Sequence, residues 1–248
     1  DSSRLPGKAF LEINGEKIIE ILLNNLQKKI SKNNIILCTS DDVFQKPLID
    51  FCELNNYKFF VGDKDDVMKR FIDCAKFFNL ENIIRVTGDN PLTDPGLLVD
   101  MLEYHSQNKL EYTYNNDYPI GTRSEIISVS ALKRVHDNIN CHDSTEYMTY
   151  MLKRPDKLNL KRFDSDINNF FSNFSLTLDT EEDYFYLKKL FNFFDYKSCK
   201  VKDLIDLLIN NKSLNIESRY IKLYEVILED RFLYKNDKSK SISYHPSL

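Results

Sequence analysis

Glycine is scarce. Only 6 of the 248 residues are glycine, against roughly 7% in an average protein, so each is expected where a side chain would not fit. Tryptophan is absent. No apolar run reaches the roughly 18 residues of a membrane span, and the opening DSSRLPGK lacks the apolar core of a signal peptide. The five cysteines, Cys38, Cys52, Cys74, Cys141 and Cys199, are odd in number, scattered and without a C-x-x-C pair. That argues against a disulfide framework or zinc site and for reduced thiols in a soluble cytoplasmic protein. Cys141-His142 has no partners at metal-ligand spacing among the four histidines. Excess positive charge is also missing. Lysine and arginine number 34 against 38 acidic residues, a net charge of −4, so no global field attracts nucleic acid and a polyanionic ligand must be held locally. Walker, G-x-G-x-x-G and G-x-S-x-G motifs are all absent.

What is present suffices for one substantial core, with 42% hydrophobic and 12% aromatic residues. Strand-length apolar runs alternate with amphipathic segments. The pattern predicts helices over 17–30, 43–55, 65–78 and 95–107, and strands over 35–39, 57–61, 83–87 and 110–114. This is the βαβ rhythm of a parallel sheet. Asp94 is the expected cap of the fourth helix, which starts at Pro95. Residues 117–170 are less regular, with a turn at Tyr118-Pro119, strands near 125–129 and 158–163 and a helix near 143–153, and read as an insertion forming a lid or dimer contact. A strand at 174–178 and helices over 181–194, 201–210 and 219–232 follow, then a tail or linker over 236–248. The absence of a dividing linker favours one domain over 1–235.

Three constellations could carry chemistry. In Ser2-Ser3-Arg4-Leu5-Pro6-Gly7-Lys8, two cations and a rigid turn suit a triphosphate, the arginine as a planar fork and the lysine as a mobile point charge; the alternative is a solvated basic terminus. Thr87-Gly88-Asp89-Asn90-Pro91 follows the most apolar strand, which places the Asp89 carboxylate where open α/β sheets bind ligands, with Gly88 allowing close backbone approach. The same residues make a good ordinary turn. In Leu178-Asp179-Thr180-Glu181-Glu182-Asp183, Thr180 and Asp183 read as a capping pair, leaving Asp179 at a strand end as a candidate metal ligand.

Taken in order, SSRLPGK at 2–8, GDNP at 88–91 and LDTEED at 178–183 resemble the cytidylyltransferases that activate acidic sugars, including the deoxy-octulosonate enzymes, and most of all the spore-coat polysaccharide subgroup. The Thr39-Ser40-Asp41 strand end, the Gly62 to Arg70 segment and the Tyr118-Pro119-x-Gly121 turn extend the likeness. The resemblance implies a Rossmann-like α/β nucleotidyltransferase fold, a mainly parallel mixed sheet flanked by helices. It implies transfer of CMP from CTP to an anionic small-molecule acceptor, with Mg2+ as cofactor, pyrophosphate as product and a possible homodimer. Carried over residue by residue, Arg4, Lys8 and Asp89 are the expected catalytic residues, Asp89 and Asp179 the Mg2+ ligands, and Ser2, Ser3, Arg4, Lys8, Ser40 and Arg70 the CTP contacts.

The chain departs from the subgroup at three places. A strand ending in Gln-Ala-Arg precedes SSRLPGK in the subgroup, whereas this sequence begins inside the motif. The usual Asp-Gly-Leu-Asp-Val-Glu reads Ile120, Gly121, Thr122, Arg123, Ser124, Glu125, and the usual Arg-Glu-His-Val-Thr reads Thr145, Glu146, Tyr147, Met148, Thr149. Arg123 either replaces the missing basic contact, favouring a phosphate, phosphonate or carboxylate acceptor, or faces solvent. Asp164-Ser165-Asp166 matches the D-x-D of glycosyltransferases but reads as a surface turn, and the aromatic cluster at 184–196 reads as helix core. The rival function is a non-catalytic nucleotide-binding or assembly module of a larger polysaccharide-synthesis protein.

Overall fold

The computed structural model describes residues 4–142, 145–167, 169–221, 226–227, 233–235 and 241–242. A hairpin comes first. Strands β1 (Glu12–Ile13) and β2 (Glu16–Lys17) pair around Asn14-Gly15, whose φ of 52° and 81° are those a two-residue primed turn demands. The α/β alternation then runs α1 (Ile18–Leu26), β3 (Ile36–Ser40), α2 (Lys46–Leu54), β4 (Lys58–Gly62), α3 (Val67–Phe77), β5 (Asn82–Arg85), α4 (Pro95–Gln107) and β6 (Tyr112–Tyr114). It continues through β7 (Glu125–Ser128), α5 (Val129–Asn138), α6 (Met148–Leu152), β8 (Leu160–Arg162), α7 (Glu181–Leu190), α8 (Val201–Asn210), β9 (Val226–Ile227) and β10 (Ser241–Ile242).

The expected α/β fold with a mixed sheet is present. Strands β3 and β4 pair in parallel, and a second sheet has the order β5-β7-β6-β8, in which β7 alone runs against the other three. Strands β3 and β5 do not pair with each other among the described residues, yet Leu37 of β3 and Ile84 of β5 share one apolar cluster with Leu98 of α4. Residues 117–170 contribute β7 and β8 to the sheet. A larger core gathers Ile18 and Ile21 of α1 with Phe171, Phe174, Leu176, Leu178 and the inner faces of α7 and α8.

Several elements differ from the sequence-based expectation. The first helix ends at Leu26. The expected helix over 43–55 is a 3-10 turn, Val43–Gln45, capped by Asp42, followed by α2. The one over 143–153 is a 3-10 turn, Thr145–Tyr147, followed by the single turn and a half of α6, with residues 143–144 outside the described residues. Helix α5 was not expected, although it is amphipathic, with Ala131, Leu132 and Val135 buried on one face and Lys133, Arg134, Asp137 and Asn138 exposed. Residues 174–178 are extended but form only isolated bridges, Ile120 with Ser175 and Phe174 with Tyr220, because the segment crosses between loops instead of lying along a strand. The expected helix over 219–232 is corrected where it is described: Glu217–Arg219 form a 3-10 turn, Tyr220 bridges and Val226–Ile227 are strand, paired with Ser241–Ile242 from the expected tail. Its remaining residues lie outside the described ones.

Two contacts hold the loops that matter for function. Gly121 has φ of 90°, and a Cβ there would lie 2.7 Å from Thr177 N and 2.8 Å from the Leu176 carbonyl carbon. Only glycine admits that backbone-to-backbone approach. Nearby, Thr180 and Asp183 form the expected capping box. The Asp183 carboxylate accepts the N–H of Thr180 (2.7 Å) and of Asp179 (2.8 Å). Its other oxygen pairs with buried Arg219, which also donates from Nε to Ser175 O (2.8 Å) and lies over the Tyr186 ring. Burial pushes the Asp183 carboxyl up, but Arg219 and the two N–H donors more than offset it and hold the group below the usual aspartate range.

Gly121→Ala is expected to lower the urea-unfolding free energy by about 2 kcal/mol or more, from strain and overlap together. Arg219→Met strands a buried carboxylate and is expected to cost about 3 kcal/mol at pH 7. A depressed folded pKa gives stability that is present above the ordinary aspartate range and lost as pH falls through the folded value. The deficit of the Arg219 variant should therefore shrink on acidification, as read by urea melts from pH 7 to pH 3.

Candidate active site

Gly7, in the left-handed region at φ 68°, turns the chain into the 3-10 segment Lys8–Phe10. That turn sends the Lys8 side chain inward. Its Nζ donates to Asp89 Oδ2 at 2.6 Å, Asp179 Oδ1 at 3.0 Å and the Leu178 carbonyl at 2.9 Å, using all three protons. Arg4 stands outside this cluster, largely exposed, with NH2 3.5 Å from Asp179 Oδ2. Four of the expected site residues, Arg4, Lys8, Asp89 and Asp179, are thus brought together from three separate stretches of chain.

The local structure explains why. Beyond β5 the chain turns at Thr87, where Asn90 N–H donates to Thr87 O and the Asn90 amide to Thr87 Oγ1. Asp94 caps α4 as expected, accepting from the N–H of Gly96 and Leu97. The Asp89 carbonyl in turn accepts the N–H of Leu178 at 2.9 Å, which brings residue 179 alongside residue 89. The space beside Gly88 holds no protein atom within 4 Å of a Cβ built there, so the backbone at this point is open on that side.

The carboxylates keep 21% and 32% of their side-chain surface in solvent. Two hard oxygen donors side by side, facing solvent, are the donor set Mg2+ takes when its other positions are filled by water and phosphate. Among the described residues no group of three or more histidine, cysteine, aspartate and glutamate side chains gathers as a metal site. The residues therefore fit an ion shared with a phosphate ligand, not a closed protein cage.

The remaining expected contacts lie elsewhere. Ser2 and Ser3 fall outside the described residues. Ser40 ends β3, buried and opposite Gly62. Arg70 donates to Asp63 O at 2.8 Å, and its Cγ would stand 2.9 Å from a Cβ on Gly62, so it props the β4-to-α3 turn. Neither is tied to the Lys8 cluster by a hydrogen bond or ion pair among the described residues.

A second polar feature adjoins the first. Thr87 and Asn90, flanking Asp89, line a cavity of about 60 Å³ together with Arg85, Arg123, Glu125 and Lys153. Arg85 pairs with Glu125 at 3.4 Å across the β5–β7 register, and Thr149 Oγ1 donates to Glu125 at 2.7 Å. Burial pushes the Glu125 carboxyl up, but Arg85, Lys153 and Thr149 hold it low. Burial pulls Lys153 down to about 8, against the upward pull of Glu125. Arg123 does not face solvent: both terminal guanidinium nitrogens are buried without a hydrogen-bond partner. Of the residues missed in the sequence, Arg85 carried a signal, a lone cation inside the apolar run IIRVT. Lys153 carried none.

The chain is 29% identical over 219 residues to an uncharacterised protein of Methanocaldococcus jannaschii, covering 88% of this chain and 90% of that one. It is 28% identical over 196 residues to the spore coat polysaccharide biosynthesis protein SpsF of Bacillus subtilis, covering 77% and 82%. A solved cytidylyltransferase of Leptospira borgpetersenii superposes with a TM-score of 0.77 at 26% identity, over 90% of this chain and 94% of that one. The family model described as cytidylyltransferase matches residues 1–236. With the clustered motif residues and these matches together, the chain belongs to the cytidylyltransferase family, the CTP-dependent nucleotidyltransferases.

Proposed function

We propose that this chain transfers CMP from CTP to an anionic small-molecule acceptor, an acidic sugar, sugar phosphate or related precursor of a surface polysaccharide, and releases pyrophosphate. The observation that carries the reading is the Lys8, Asp89 and Asp179 cluster standing beside a cation-lined cavity. The first suits a triphosphate, the second an anion that must meet it. Polysaccharide chemistry is supported by the likeness to the spore-coat protein.

In this reading Arg4 and Lys8 bind triphosphate oxygens, the exposed arginine reaching outward and the lysine neutralising charge close to Asp89. Asp89 and Asp179 would hold Mg2+, which supplies charge neutralisation as pyrophosphate departs. An acceptor oxygen forms the new bond to the α-phosphorus as the bond from that phosphorus to the pyrophosphate oxygen breaks, and the acceptor's proton goes to solvent. No covalent enzyme intermediate is needed; the protein contributes alignment and charge. Apolar surface at Phe170, 64% exposed, suits 117–170 to a homodimer contact, and the reduced-thiol composition to a cytoplasmic setting.

The test is calorimetric titration of CTP, UTP, ATP and GTP with Mg2+ into the chain and into Asp89→Ala. CTP is expected to bind at least tenfold more tightly than the others, and the variant to lose at least tenfold of that affinity. Failure of a folded chain to bind any nucleotide would leave the assembly-module function in its place.

A further inference from the structure

We infer that the cavity walled by Arg85, Arg123, Glu125 and Lys153 binds a dianionic tetrahedral group of the acceptor, a phosphomonoester or a phosphonate, and that Arg123 and Lys153 set this preference. The inference rests on the acceptor reading above and narrows it, since that reading admits a carboxylate as readily.

Charge balance comes first. The wall carries three cations and one carboxylate. Arg85 and Glu125 face each other in register and pair, which leaves Arg123 and Lys153 without an ion pair among the described residues, though both feel the Glu125 charge. Asp117 attracts the Arg123 guanidinium more strongly than Glu125 does but makes no ion pair with it; its Oδ2 accepts the Ser165 backbone N–H at 2.9 Å and the Ser165 hydroxyl at 3.1 Å.

Unmet hydrogen bonding is the second argument. The two terminal nitrogens of Arg123 are buried and make no hydrogen bond. A buried guanidinium in that state is costly, and its planar fork is matched by two oxygens of one phosphoryl or phosphonyl group. Lys153 makes no ion pair among the described residues and rests over the Tyr114 ring at 4.7 Å. It adds a point charge from another side of the same cavity. Cavity size is the third argument, because about 60 Å³ is several times what one water needs and is enough for a compact anionic group.

The probes are methyl phosphate, methylphosphonate and acetate, titrated at constant ionic strength into the full chain, Arg123→Gln, Lys153→Met and Lys8→Gln. The first two probes are expected to bind at least tenfold more tightly than acetate, and the tighter of them identifies the acceptor's group. Arg123→Gln should lose at least tenfold of this affinity without any fall in Tm, because it removes an unpaired buried charge; a residue serving only structure would lower Tm. Lys8→Gln should keep the affinity.

The pH dependence gives a second readout. The charged and titratable groups around Lys153 are Glu125, Arg123 and Tyr114, with Arg85 and Tyr112 behind Glu125. Methyl phosphate is fully dianionic well above its second pKa of about 6. Its affinity should therefore fall as pH rises through about 8, where Lys153 loses its proton, and this fall should vanish in Lys153→Met. Equal binding of acetate, unchanged affinity in Arg123→Gln, or loss in Lys8→Gln alone overturns the inference. CTP titrated into the same samples separates the two readings. Intact CTP binding with no methyl phosphate binding sinks this inference only, and loss of both removes the transferase reading as well.

Discussion

Everything at the candidate site depends on one ammonium group standing between two carboxylates. Asp89 and Asp179 belong to loops 90 positions apart in the chain, and both reach Lys8 Nζ. At roughly 5 Å, two like charges repel by about 3 kcal/mol at an effective dielectric of 20. The Lys8 turn must therefore dock for the two loops to sit side by side, which is why Gly7 takes a left-handed φ there. On the proposed reading, the same arrangement would keep a triphosphate site folded before its ligands arrive. A protein cation would stand where charge neutralisation is needed, and a mobile lysine would give that place up more easily than a guanidinium fork.

Around that ammonium the loops are braced against each other, not merely packed. The Asp89 carbonyl holds Leu178 N–H, the Ile120 carbonyl holds Leu176 N–H, and Arg219 ties Ser175 and Asp183 together. Gly121 lets the 119–122 turn press directly on 176–177. The 119–122 turn beside the cation-lined cavity and the segment leading to Asp179 thus share supports. Such bracing is what positions reacting groups within the fraction of an ångström that transfer chemistry demands.

Much of this was legible in the residues. Alternating apolar runs gave the α/β order, Asp94 and Thr180 announced their helices, and aspartates directly after apolar segments marked the site. The hairpin at Asn14-Gly15 was missed, although the pair is the one best suited to a primed turn. Other features were not local properties. The meeting of Arg85 with Glu125 is a matter of β5–β7 register across 40 residues, and Lys153 joins them from a helix end. Residues 174–178 have strand composition but no ladder, because composition reports burial and not partners. Arg123 shows the limit most plainly: one sequence allowed either an acceptor contact or a solvent-facing side chain, and only the fold turns its guanidinium inward.

The overall charge of −4 and the buried cations belong to one physical argument. A net negative chain offers no long-range attraction to CTP or to an anionic acceptor. Affinity must come from charges that act at contact distance in a poorly solvated setting, where salt screens little. Lys8, Arg123 and Lys153 are placed in that way, and the two in the cavity bear the cost of desolvation without an ion pair among the described residues. A fold selected for stability alone would have paired them or replaced them with apolar side chains. On the proposed reading, the cost of placing them where two loops and a sheet edge converge is recovered in ligand binding.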